Sequence, residues 1–115
     1  MKIANNYIYK KINDIEACAT NHGVGQKKIF VGRSNCRSNI TQAAFGELKS
    51  GEKIEQHAHP TMEEFYYFES GKLNFHIADE MLCCEAGDFV MVPAGVKHFL
   101  EAQNDCTFIY WGVST

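Results

Sequence analysis

From about residue 27 onward the chain breaks into short β-rich runs, separated by turn signals at intervals of roughly 8 to 12 residues. The runs are Lys28–Arg33, Ile40–Leu48, Ile54–His59, Glu64–Glu69, Lys72–Ala78, Met81–Glu85, Phe89–Val92, His98–Gln103 and Thr107–Val113. None sustains a helical period, so the pattern predicts an all-β sandwich or barrel. Ser70-Gly71, Asp79-Glu80 and Gly87-Asp88 each read as a tight hairpin turn. Upstream, Ile12, Ile15, Cys18 and Ala19 fall at helix-like spacing within residues 11–21. His22-Gly23-Val24-Gly25 reads as a flexible connection, because a lone GVG lacks the strand and helix that would make it a phosphate loop.

The 115 residues, 45% of them hydrophobic, suffice for one core without staples, which predicts a single domain over 1–115. Eleven basic residues against 14 acidic ones leave no basic patch to neutralise a row of phosphates, so no nucleic-acid partner is expected. The first residues interrupt their apolar positions with Asn, Lys and Asp, and nothing approaches the length of a membrane span. The expected compartment is the cytoplasm. The five cysteines, Cys18, Cys36, Cys83, Cys84 and Cys106, lack zinc-finger spacing and read as thiols that serve mainly as small core residues. Cys83 and Cys84, being adjacent, cannot share one face of a strand.

The densest chemistry lies in QHAHPTMEEF, residues 56–65. On a strand His57 and His59 project from one face and can converge on one ion, whereas on a helix they would diverge by about 200°. Glu64 lies an odd number of residues beyond His59, so simple alternation would send it to the opposite face. Pro60 resolves this: a turn over Pro60-Thr61-Met62-Glu63 lets Glu64 re-enter facing inward. Glu63 falls within the turn, which favours Glu64 as the ligand. His98 stands out as a fourth ligand, because an apolar strand and a turn with Pro93 at its second position and Gly95 at its fourth bring it to the start of the next strand. His76 alternates with Leu73, Phe75 and Ile77 and reads as a rim residue.

These residues carry a resemblance to the cupin superfamily of small jelly-roll barrels. The first cupin motif, G(X)5HXH(X)3-4E(X)6G, is matched by Gly51, His57, His59, Glu64 and Gly71. The second, G(X)5PXG(X)2H(X)3N, is matched by Gly87, Pro93, Gly95 and His98, with Ala102 in place of the final Asn. The motif region spans residues 51–102, and the Asn is not a metal ligand in the family. The resemblance implies a double-stranded β-helix with a short N-terminal extension, residues 1–33. It also implies that His57, His59, Glu64 and His98 hold one divalent metal and leave two positions open. Imidazole and carboxylate ligands suit iron, manganese, nickel, copper or zinc alike.

Alternation sends Tyr66 and Phe68 inward with Glu64, and Leu100 and Ala102 inward with His98, sketching a small pocket that is also core. No lysine or arginine is placed inside it by the pattern, which argues against a sugar phosphate. The expected partner is a small molecule. Two functions fit: a metal-dependent dioxygenase or lyase/isomerase in which Glu64 is ligand and transient base, or a non-catalytic module binding a small carboxylate or sugar. Small cupins commonly pair through sheet edges, so the resemblance further implies a homodimer, with residues 1–33 able to supply an exchanged strand.

Overall fold

In the computed structural model, which describes residues 3–4 and 7–115, twelve strands run in the order β1 (Ile3–Ala4), β2 (Tyr7–Ile8), β3 (Cys18–Ala19), β4 (Gln26–Gly32), β5 (Ile40–Leu48), β6 (Lys53–His57), β7 (Met62–Ser70), β8 (Lys72–Ile77), β9 (Glu80–Glu85), β10 (Phe89–Val92), β11 (His98–Ala102) and β12 (Cys106–Ser114). Met1, Lys2, Asn5 and Asn6 of the expected N-terminal extension lie outside the described residues. A six-stranded sheet in the order β10-β7-β12-β5-β4-β3 faces a four-stranded one in the order β6-β11-β8-β9, while β1 and β2 pair with each other. From β5 to β12 the chain changes sheet at every junction except β8 to β9, which is the winding of a jelly roll.

The two inner faces follow from alternation along each strand. Tyr66 and Phe68 of β7, Leu73 and Phe75 of β8, Leu100 and Ala102 of β11, and Cys106 and Phe108 of β12 all point into one buried cluster. Their neighbours Tyr67, Lys72 and Thr107 turn outward. The aromatic rings meet at offset or edge angles, with Phe68 and Phe75 6.1 Å apart at 71° and Phe68 and Phe108 5.8 Å apart at 55°.

Several sequence expectations need correction. The helix-like spacing over residues 11–21 produces only a 3-10 turn, Ile12–Asp14, followed by the short strand β3. Four small or apolar positions in so short a run supply too little buried face to hold a helix. Of the three expected hairpins only β8–β9 is one, and its turn is Ala78-Asp79, with Ile77 paired to Glu80. Gly71 and Gly87 instead occupy crossings between sheets, both at positive φ, 80° and 93°. Hairpins and crossings call for the same turn residues, so the sequence signal is identical for both. Cys84 and Cys106 are buried as expected, and burial pushes both thiols up to about 11. Cys18 and Cys83 are exposed, and Cys36 is half-buried. Among the described residues no helix is long and apolar enough to cross a membrane.

Gly71 carries a backbone demand that no other residue meets. Its positive φ is strained for any side chain, and a Cβ there would collide with the Asp105 carbonyl and with Cys106. Gly71→Ala should therefore cost about 2–4 kcal/mol of folding stability, read as a lowered midpoint in urea with an unchanged slope. An unchanged midpoint would contradict the crossing geometry.

Candidate metal centre

Three strands from both sheets bring the candidate ligands together. β6 ends at His57, β11 begins at His98, and these two are paired in register within the four-stranded sheet. Glu64 is the third residue of β7 in the opposing sheet. His59 lies beyond the end of β6, where a strand through His59 was expected, and its carbonyl accepts from the Gly95 amide at 2.8 Å. That bond ties the loop carrying His59 to the turn before His98. The turn itself is shifted from expectation: Val96 donates to Pro93 O at 3.3 Å, so Gly95 occupies the third position, with a φ of 83°. A type II turn requires glycine there. Pro60 and Thr61 form the expected break, and Glu64 faces inward while Glu63 does not.

One ligand atom from each of His57, His59, Glu64 and His98 lies within 4.8 Å of the others. The ring tautomers suit a cation. Nδ1 of His57 lies 2.8 Å from Glu55 O and Nδ1 of His98 lies 3.0 Å from Val96 O, so in the neutral rings both Nδ1–H groups donate and both Nε2 lone pairs face inward. His98 Nε2 then stands 3.1 Å from Glu64 Oε1, two acceptors facing one another, an arrangement that calls for a proton or a cation between them. His59 Nε2 is 3.5 Å from the same oxygen and, among the described residues, is buried without a hydrogen-bond partner. An orphaned imidazole nitrogen beside a buried carboxylate fits a metal ligand set.

Tyr66 has a role that the sequence did not show. Its hydroxyl donates to Glu64 Oε1 at 2.6 Å, orienting the carboxylate from two residues along the same strand face. Burial works to raise the Glu64 pKa, but the His59 and His98 rings, when they carry a proton toward Oε1, and the Tyr66 hydroxyl outweigh it and hold the carboxyl well below the usual range. The Phe75 ring lies parallel to that of His98 at 6.1 Å and fixes its plane.

The cluster opens into a cavity of about 390 Å³ lined by residues from β4, β5, β7 and β12 and from the β3–β4 loop. Of the four expected pocket residues Tyr66 lines it, whereas Phe68, Leu100 and Ala102 lie deeper, in the core. They point inward as expected, but the layer of Tyr66, Phe108 and Tyr110 takes the cavity wall. The expectation that no lysine or arginine reaches the cavity is overturned, because Lys27 and Arg33 both line it. They stand at and just beyond β4, whose inward side could not be read without its register against β5. His22 was likewise missed: its ring packs against that of His57, with centroids 4.2 Å apart and planes tilted by 40°. The loop reaches that position through Gly23 and Gly25 at φ of 74° and 75°, so the glycines noted in the sequence serve to seat a histidine. His76 is a rim residue as expected, bonded to Glu101 at 2.8 Å and stacked on Phe99.

A jelly-roll sandwich with three histidines and a glutamate at the end of its cavity defines a small barrel with a site fit for one metal ion. The sequence model of the family described as "Cupin domain" matches residues 44–111, and the chain belongs to that family. A polyketide synthase CurC from Streptomyces cyaneus is 33% identical over 58 residues, which cover 50% of this chain and 38% of that protein. The chain thus matches well under half the length of this curated relative. The fold is shared with a crystal structure of a predicted oxalate decarboxylase from Thermotoga maritima, at TM-score 0.84 and 20% identity over 94% of this chain and 100% of that one. An RmlC-like cupin from Shewanella frigidimarina superposes at TM-score 0.77 and 17% identity over 92% of this chain and 88% of that one.

Metal affinity should depend on pH in a way set by His59. The neighbouring Glu64 carboxylate raises its pKa above the ordinary 6.5, whereas burial lowers that of His57 to about 4. A raised value means that protons compete with the metal at His59 from above pH 6.5 downward, while His57 stays neutral at pH 5. Calorimetric titration with zinc should show affinity already weakening as pH falls toward the ordinary histidine value of about 6.5 and continuing to fall below it. Constant affinity between neutral pH and about 5 would exclude histidine ligation.

Proposed function

We propose that the protein is a metal-dependent enzyme of the dioxygenase or lyase/isomerase type, acting on a small oxygenated organic compound. The observation that carries this reading is the opening of the His57, His59, Glu64 and His98 cluster into a cavity of about 390 Å³, a volume suited to a compact ligand. A divalent iron, manganese, nickel, copper or zinc ion held by these residues supplies Lewis-acid polarisation of an oxygen donor and, if redox-active, oxygen chemistry. The chain supplies the rest. The Tyr66 hydroxyl keeps Glu64 oriented, Phe75 keeps the His98 ring in plane, and Phe108 and Tyr110 cover the inner wall and exclude water. The partial likeness to a polyketide synthase supports a substrate rich in carbonyl oxygens.

Glu64 as transient base is the weaker half of this reading, since a carboxylate held below its usual range accepts a proton poorly. That same observation favours the second reading, a non-catalytic module that binds a small carboxylate or sugar through the metal. Metal-loaded protein incubated with hydroxy acids, keto acids, diketones and phenols separates the two: product formation or oxygen uptake is expected, and tight binding without turnover favours the module. His59→Ala should lower turnover at least about 100-fold and reduce metal content while leaving the far-ultraviolet spectrum unchanged. Full activity in this variant, or less than about a tenth of an equivalent of any transition metal in reconstituted wild-type protein, would overturn the metal-enzyme reading.

We also propose a homodimer in the cytoplasm, a reducing setting that suits five free thiols. Support comes from the outer face of the six-stranded sheet, where Phe89, Tyr67 and Met91 are 55%, 43% and 41% exposed beside the stacked Phe65 and Trp111 rings. Light scattering should give twice the 13.0 kDa chain mass, and Phe89→Glu should shift the protein toward monomer. A wild-type monomer at high concentration would overturn the proposal.

A further inference from the structure

Lys27 is a cationic side chain buried with no anion beside it among the described residues. It is only 6% exposed, and its ammonium has one hydrogen-bond partner among the described residues, the neutral Oε1 of Gln42 at 3.1 Å. The ion pairs among the described residues all involve histidine, so no carboxylate lies within 4 Å of Lys27 Nζ. Buried ammonium groups are ordinarily paired with an anion. Lys27 and Gln42 both line the cavity into which the metal cluster opens.

The sheet register sets Gln42 and Glu64 at opposite ends of one row. Gln42 pairs with Gly112, and Gly112 pairs with Glu64, so their Cα atoms are two strand spacings apart, about 10 Å. Gly112 contributes no side chain between them; Thr41 and Met62 contact each other over it and form the floor. Lysine only donates, so the Gln42 oxygen is committed to Lys27 and its amide nitrogen remains to donate elsewhere. Arg33 adds a second cation at the mouth, where it reaches Ser114. Glu47 also lines the cavity, but it follows the inward Gly46 and by alternation turns its side chain to the other face.

We infer that Lys27 and Gln42 form an anion subsite facing the metal cluster, and that the ligand is a short organic acid with metal-binding oxygens at one end and a carboxylate at the other. Its metal-binding end rests on the reading given under Proposed function; the carboxylate end rests on Lys27 and Gln42 alone. The row is about 10 Å long between the Cα atoms of Gln42 and Glu64, and side chains project over it from both ends, so the space suits a short acid rather than a long-chain one. A carboxylate fits one ammonium and one amide donor, whereas a phosphate dianion would call for more cations than are turned inward here.

Calorimetry on zinc-loaded protein tests this with malate, which has both ends, and lactate, which keeps only the chelating one. Malate should bind at least about tenfold more tightly than lactate. Lys27→Gln should remove that preference while leaving lactate binding and zinc content unchanged. Should Lys27→Gln fail to fold, Gln42→Glu supplies an internal carboxylate that occupies the ammonium, and it should remove the preference equally. Folded variants that keep the wild-type preference would overturn the subsite, as would inorganic phosphate binding as tightly as malate in a Lys27-dependent way. A Lys27-dependent preference in protein that binds no zinc would sink the metal reading and leave this one standing; bound zinc without the preference would do the reverse.

Discussion

A single buried oxygen, Oε1 of Glu64, organises the end of this barrel. It accepts from Tyr66 and faces the Nε2 atoms of His98 and His59 at 3.1 and 3.5 Å. An anion so enclosed costs several kcal/mol unless positive charge or donors surround it, and the surroundings come from both sheets. Tyr66 shares its strand, His98 opens β11 opposite, and His59 hangs on a loop fastened to the turn before His98. The depressed Glu64 pKa records the outcome: the facing imidazoles, once protonated, and the Tyr66 hydroxyl outweigh desolvation. The second buried charge lining the cavity, Lys27, is opposite in sign, and among the described residues it has only a neutral amide as partner. The cavity therefore has two electrically distinct ends, one built to hold a cation and one that already is a cation.

The fold was legible because alternation and turn spacing recur nine times over, and each run needed only to be half right to indicate a sandwich. Ile40–Leu48 and Phe89–Val92 match their strands to the residue. What alternation could not convey is which sheet receives each strand: Ser70-Gly71 and Gly87-Asp88 have hairpin composition yet carry the chain across the sandwich. The four ligands were legible for a related reason. Local spacing singles out His57, His59 and Glu64, and the Pro93–Gly95 turn, with the second motif, adds His98 from 34 residues beyond Glu64.

The remainder of the site was hidden by the same limits. Lys27 and Gln42 become neighbours of the cavity only through the pairing of β4 with β5, a register interrupted by a bulge between Ile29 and Val31. His22 depends on two left-handed glycines and on the close approach of Gly25 to Glu47 O, where a Cβ would come within 2.6 Å. Neither feature leaves a periodic trace. Hydrophobic pattern specifies strands and faces, whereas long-range register and loop seating specify what the cavity can recognise.

The distribution of ligands between the sheets has a mechanical side. His57 and His98 belong to the four-stranded sheet and Glu64 to the six-stranded one, so an ion bound by all of them would act as a clasp across one open end of the sandwich. The closed end needs no such fastening, since Phe68, Phe75 and Phe108 interlock there. A chain built this way has a seam that is fixed at one end and buttoned at the other, and it is the buttoned end through which any ligand must enter.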